Sequence, residues 1–259
     1  MGRIEQNTDM ANVADTAVVT GSSSGIGLAL SRMLVKNGYE VFGFGRNFER
    51  AEAQEFCKEQ PEKFHAVVCD ITDTQALCAH IKEIDKNYRV TVLVNNAGVG
   101  YYGLHEELNP KKIQKMVRTN LEAPMILTQQ LLRTLKKNRG TVLNISSVTA
   151  AQSNPHGCAY GATKAGLSGF AKSLFDEVRK YGVRVITIQP DMAKTDLYRN
   201  ADFCEGEEEA SYLLPEEVAE AAAFALAQRE GLVVTEITVK PQFHRIRLSL
   251  IHISEPTRH

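Results

Sequence analysis

Thr20-Gly21-Ser22-Ser23-Ser24-Gly25-Ile26-Gly27 decides the fold: it follows an apolar run, Thr16–Thr20, and opens a segment with helical spacing. Glycine lets the backbone turn tightly and come close to an anion. The start of a helix adds free N–H groups and a positive dipole end, a ready phosphate site. The spacing is G-x-x-x-G-x-G rather than the commoner G-x-G-x-x-G. Gly21, Ser23, Ser24, Gly25, Ile26 and Gly27 are therefore candidate phosphate-loop residues, with a tight structural turn as the plainer reading. The same stretch spells G-x-S-x-G around Ser23, the pattern of a nucleophile elbow. That rival needs an acid and then a histidine further on, and Asp191 or Asp196 with His244 could serve. Against it, the elbow stands in the first strand–helix unit, with no earlier strand to build an oxyanion loop.

Outward from this loop, short β-rich runs alternate with longer helical patterns. The runs are Thr16–Thr20, Glu40–Phe44, Phe64–Cys69, Thr91–Val94, Thr141–Ile145, Val183–Ile188 and a late Val233–Val239. Most are continuously apolar, as strands buried on both faces of a parallel sheet must be. Leu28, Ala29, Met33, Leu34 and Val35 keep helical spacing and stop at Asn37-Gly38, a C-terminal signal. Pro215-Glu216-Glu217 opens another helix, with acids toward its positive end. The alternation predicts an α/β fold: a single doubly wound parallel sheet flanked by helices on both faces.

The 259 residues suit one such domain, expected over 16–247 after a polar N-terminal segment, 1–15. Thirty Lys+Arg against 31 Asp+Glu leave no basic field for nucleic acid or an anionic membrane. Five cysteines with no C-x-x-C pair make a disulfide framework or zinc site improbable, and no metal is expected. No run of 18 apolar residues exists, and Met1–Asp15 lacks the apolar middle of a signal peptide. Gln6 breaks the myristoylation pattern that Met1-Gly2 begins. A soluble, cytoplasmic protein is expected. Asp191–Leu214 is long, irregular and acidic, and 194–214 is read as a substrate lid. Residues 248–259 fit no period of the fold, look like a translated cloning or adapter scar, and are read as a non-native tail.

Three further places carry chemistry. The second run ends Phe44-Gly45-Arg46-Asn47, where a dinucleotide fold faces the adenosine ribose. An acid there binds the ribose hydroxyls of NAD, whereas Arg accommodates a 2′-phosphate. With no acid present and Arg46 followed by Asn47, NADP(H) is preferred over NAD(H). Tyr160 and Lys164 are four apart, on one helix face. An ammonium near a phenol lowers its pKa toward working pH, although a surface pair is the usual explanation of this spacing. Ser147 stands at the end of Thr141–Ser147, Asn120 lies in a helical segment, and Asn95-Asn96-Ala97-Gly98 follows the fourth run.

Together these motifs resemble the short-chain dehydrogenase/reductase family, over about Thr16 to Arg247. The resemblance rests on Thr20–Gly27, Asp70, Asn95–Gly98, Asn120, Ser147, Tyr160–Lys164 and Pro190, in order. It implies a Rossmann-like fold and an NADP(H)-dependent oxidoreductase acting on a small carbonyl or alcohol. Tyr160 is then the general acid/base, Lys164 lowers its pKa and holds the nicotinamide ribose, and Ser147 stabilises the substrate oxygen. Asn120 belongs to a proton relay through water, Asp70 and Ile71 meet the adenine, and Asn96, Ala97 and Gly98 line the ribose. Thr195, five residues past Pro190, holds the carboxamide. The family's Pro-Gly is here Pro190-Asp191, which puts a carboxylate at the nicotinamide edge and disfavours anionic substrates. Val99–Leu104, Val148–His156 and Met192–Leu214 are expected to line the substrate pocket, with Tyr101, Tyr102 and His156 giving it aromatic and polar character. A homodimer or homotetramer is expected through Pro124–Leu135 and the helix after Tyr160. The alternatives are a non-catalytic dinucleotide sensor on the same fold and, behind it, the hydrolase using Ser23.

Overall fold

The computed structural model describes residues 14–201 and 203–248. The expected tail beyond Leu248 and most of the N-terminal segment lie outside the described residues. Seven parallel strands form the sheet: β1 (Thr16–Thr20), β2 (Glu40–Gly45), β3 (Phe64–Val68), β4 (Val90–Asn95), β5 (Thr141–Ile145), β6 (Arg184–Pro190) and, late in the chain, β8 (Glu236–Val239). Their order is β3-β2-β1-β4-β5-β6-β8. β7 (Phe203–Glu205) pairs antiparallel with β9 (Ile246–Leu248) outside this sheet, so the chain is still paired at the first residue of the expected tail.

Seven helices connect the strands: α1 (Gly25–Lys36), α2 (Ala51–Glu59), α3 (Thr74–Asn87), α4 (Pro110–Val117), α5 (Ala123–Asn138), α6 (Cys158–Val178) and α7 (Pro215–Leu226). The strand period of two sorts the central side chains. Ala17 and Val19 of β1 face a layer built on Leu30 and Leu34 of α1, Phe56 of α2 and Val218 and Ala222 of α7. Val18 between them faces Leu77 and Ile81 of α3, Leu127 and Leu131 of α5 and Leu174 of α6. Burial on both faces explains why β1, β4 and β5 read as largely apolar runs, with their threonines and asparagines buried as well.

Local signals fix the helix ends. Gly38 takes φ +90° just after α1, as the Asn37-Gly38 stop requires. Asp73 caps α3 by accepting from Ala76 N, Asn109 caps α4 before Pro110, and the Glu217 carboxylate accepts from Leu214 N at the start of α7. α4 runs into α5 through a π turn, Arg118–Glu122, with helical backbone throughout. The order reverses between β1 and β4, and a crevice opens there at the carboxyl ends of the strands.

Candidate active site

The loop after β1 shows why its glycines are needed. Gly21 and Gly25 have φ of +68° and +52°, a region costly to other residues. A Cβ at Gly21 would stand 2.9 Å from Ala97 Cα, and one at Gly27 would overlap the Gly21 carbonyl oxygen. Thr20 ties the loop to the segment after β4. Its Oγ1 accepts from Asn96 N and Ala97 N, both at 3.0 Å, and donates to Val94 O at 3.2 Å. Asn96 Nδ2 returns a bond to Thr20 O at 2.8 Å. α1 begins behind this loop with an extended Ser24 that makes no side-chain cap and with no acidic residue in its first turn. Its first N–H groups thus have no side-chain cap and no acid of the helix's own first turn to meet them.

One cleft runs from this loop to Lys164. At its far end it reaches Arg46, Asp70 and Ile71. Burial alone would raise the Asp70 pKa, but Thr72 N and Oγ1 donate to its carboxylate at 2.9 and 2.8 Å, and Lys115 and Arg46 stand nearby; together they hold it below the ordinary carboxylate range. Every residue expected at the cofactor lines this cleft except Asn47, which is exposed beyond the strand end. Lys115 and Thr119 line it too, and sequence reading missed them. Their four-residue spacing on one helix face is the only trace they leave there.

At the near end Ser147, Tyr160 and Lys164 share the cleft wall. Tyr160 and Lys164, on successive turns of α6, are 4% and 3% exposed. Lys164 Nζ donates to Ile145 O at 2.7 Å, and Ser146 Oγ donates to Lys164 O at 3.1 Å. Burial lowers the Lys164 pKa to about 8 and pushes the Tyr160 phenol well above its ordinary value, with the Ser147 hydroxyl acting against that rise. Nζ stands 5.8 Å from the ring centre and points a proton at a carbonyl, so desolvation outweighs the ammonium.

Asn120 sits in the π turn and is buried, but it does not line the cleft itself. Its Oδ1 accepts from Val99 N at 2.8 Å, and its Nδ2 donates to Val99 O at 2.9 Å and Thr163 Oγ1 at 3.1 Å. It clamps the post-β4 segment to α6. A Cβ on Gly98 would lie 3.6 Å from both Asn120 Oδ1 and Lys164 Nζ, so the two side chains flank one point.

The region after β6 departs from expectation in several ways. Asp191 has no left-handed backbone, its Oδ1 accepts from Met192 N at 2.9 Å, and Oδ2 lies 3.7 Å from His244 Nδ1. Among the described residues no histidine hydrogen-bonds Ser23, which leaves the elbow reading without a base. Thr195 caps the 3-10 turn Asp196–Tyr198 and stands over Gly25. Of the expected lid, Thr195–Asn200 line the cleft. Val148–His156 does not line it, and His156 is an exposed loop residue with φ +61° whose carbonyl accepts from Gly103 N. Tyr102 packs its ring 5.7 Å from Tyr160 and clusters with Tyr198 and Phe203. None of the described helices is long and apolar enough to cross a membrane.

Known proteins share this fold. The short chain dehydrogenase family profile matches residues 15–203. Serine 3-dehydrogenase of Agrobacterium fabrum is 38% identical over 186 residues, 71% of this chain and 74% of that one. An alcohol dehydrogenase from the archaeon Thermococcus sibiricus, solved with 5-hydroxy-NADP, superposes with a TM-score of 0.80 at 27% identity, covering 90% of this chain and 98% of the other. A 3-ketoacyl-(acyl-carrier-protein) reductase from Brucella melitensis, solved with NADH, gives 0.78 at 26% identity, covering 88% and 97%. With a match over most of its length and a seven-stranded parallel sheet to go with it, the chain belongs to the short-chain dehydrogenase/reductase family of oxidoreductases.

Proposed function

We propose that this oxidoreductase interconverts a small carbonyl compound and its alcohol with NADP(H). The observation that carries the reading is the single cleft joining Ser147, Tyr160 and Lys164 to the uncapped start of α1. The residues present fit a dinucleotide. A glycine cradle lets backbone N–H groups approach a pyrophosphate, Arg46, just past the end of β2 and with no acid next to it in sequence, would hold a 2′-phosphate, and Asp70, held ionised by Thr72, Lys115 and Arg46, would meet the adenine. The similar structures hold both 5-hydroxy-NADP and NADH, so the preference for NADP(H) rests on Arg46. When bound, the dinucleotide supplies or accepts the hydride.

The remaining steps belong to this chain. Ser147 donates to the substrate oxygen as negative charge develops on it. Tyr160, kept neutral by burial, gives that oxygen its proton in reduction and takes it back in oxidation. Lys164, protonated below about pH 8, holds ribose hydroxyls and refills the phenol. Asn120 fixes the distance between the post-β4 segment and α6, so that a water between them can reach Lys164. NADPH consumption with a panel of aliphatic, aromatic and acyl-type ketones tests the reading. Tyr160→Phe should lower turnover about 100-fold or more and leave NADPH binding within about twofold. A wild type that binds NADPH and turns over none of the panel would point to the sensor instead.

A further inference from the structure

Ser147 ends the β5 segment and caps the 3-10 turn Val148–Ala150. Thr149 donates to its Oγ twice, from the backbone N–H at 3.2 Å and from its own hydroxyl at 3.0 Å. A hydroxyl oxygen offers two lone pairs and one proton. Thr149 fills both lone pairs, and the proton is all that Ser147 has left to offer. The Tyr160 phenol lies on the same cleft wall. The turn itself needs only the N–H of residue 149, which any residue but proline would supply. The side-chain bond adds nothing to the turn and acts on Ser147 alone.

We propose that Thr149 is a positioning residue: its two hydrogen bonds make the Ser147 hydroxyl an obligate donor aimed at the reacting oxygen. A free serine hydroxyl rotates among wells and can as easily accept as donate. One with both lone pairs occupied is set toward the charge that develops in reduction, which removes a reorganisation step. A bond received from Thr149 also polarises Ser147 and strengthens the bond it gives. The proposal rests on the carbonyl–alcohol reading above.

The test uses NADPH and the ketone of the panel that the wild type reduces fastest. Thr149→Val keeps the N–H and the branched shape and removes the hydroxyl; Thr149→Ser keeps the hydroxyl. Thr149→Val should lower kcat about tenfold, a fraction of the loss expected for a whole oxyanion donor, with KM and NADPH affinity within about twofold. Thr149→Ser should restore most of kcat. In a Ser147→Ala background Thr149→Val should change nothing more, because the two residues act as one unit. With that ketone carbon-13 labelled and bound beside NADP⁺, the carbonyl stretch should move to higher frequency in Thr149→Val. The proposal is overturned by wild-type kcat in Thr149→Val, by an equal further loss in the Ser147→Ala background, or by a Thr149→Ser variant as slow as the valine one. A wild type that reduces none of the panel overturns the carbonyl–alcohol reading, and this proposal with it.

Discussion

Lys164 Nζ lies 5.8 Å from the centre of the Tyr160 ring, one turn further along α6, and both side chains are buried. The ammonium is the weaker partner there: burial brings its pKa to about 8, against 10.5 for a free lysine. Between those values the unfolded chain binds more protons than the folded one, so stability rises with pH across the window of about 8 to 10.5. Urea unfolding of wild type and Lys164→Met, followed against pH, isolates this. The wild type should gain on the variant through that window, and a constant difference would refute it. The kcat/KM for reduction should fall above about pH 8 as Nζ loses its proton.

Arg46 stands exposed at the end of β2 with no carboxylate beside it in sequence. Charge-assisted bonds to a phosphate contribute about 1.5–3 kcal/mol. Arg46→Ala should weaken NADPH binding by roughly 10- to 100-fold and change NADH binding by less than about twofold. A fluorescence titration of both cofactors decides it; equal losses for the two would remove Arg46 from the 2′-phosphate.

Asn120→Ala would orphan Val99 N and Val99 O in a buried place and take one bond from Thr163 Oγ1, which still donates to Tyr160 O. Each orphaned group costs about 1–3 kcal/mol. Part of that is recovered if water enters, so a loss of about 2–4 kcal/mol is expected, read as a lower urea midpoint at unchanged m-value. A loss below about 0.5 kcal/mol, the range of an ordinary surface change, would show that the clamp bears no load.

Two glycines should respond in opposite senses to alanine. At Gly27 the added Cβ would run into the Gly21 carbonyl and Asn96, so Gly27→Ala should abolish dinucleotide binding and lower the melting temperature. Gly169, inside α6 and exposed, has nothing within 4 Å of its would-be Cβ. Gly169→Ala should stabilise by about 0.5–1 kcal/mol. Calorimetry on the pair checks both signs.

Much of this was legible in the sequence, for physical reasons that differ by element. β1 and β5 fall on Thr16–Thr20 and Thr141–Ile145 to the residue, because a strand covered on both faces is mostly apolar and β-branched. The late run shrinks to Glu236–Val239, since an edge strand alternates in burial and its ends carry no signal of their own. β7 was invisible: three residues pair with a segment some forty positions away, and nothing local announces it. The segments holding Ser147, Tyr160 and Lys164 could be read because their spacing is local. Lys115 and the two bonds from Thr149 could not, for they depend on how α4 and the turn after β5 fold back. The burial of Tyr160 left no trace either, since a sequence shows the lysine four residues on and hides what covers the phenol.

The π turn at Arg118–Glu122 sets the phase of everything that follows it. An α-helix advances about 100° per residue, and a single π turn absorbs one residue out of step. Removing one residue between Met116 and Pro124 would let the helix close at regular pitch and rotate α5 by about that angle. Leu127, Leu131 and Leu135 would swing off the sheet, and Asn120 would turn away from Val99. This stretch should therefore tolerate changes of side chain far better than changes of length.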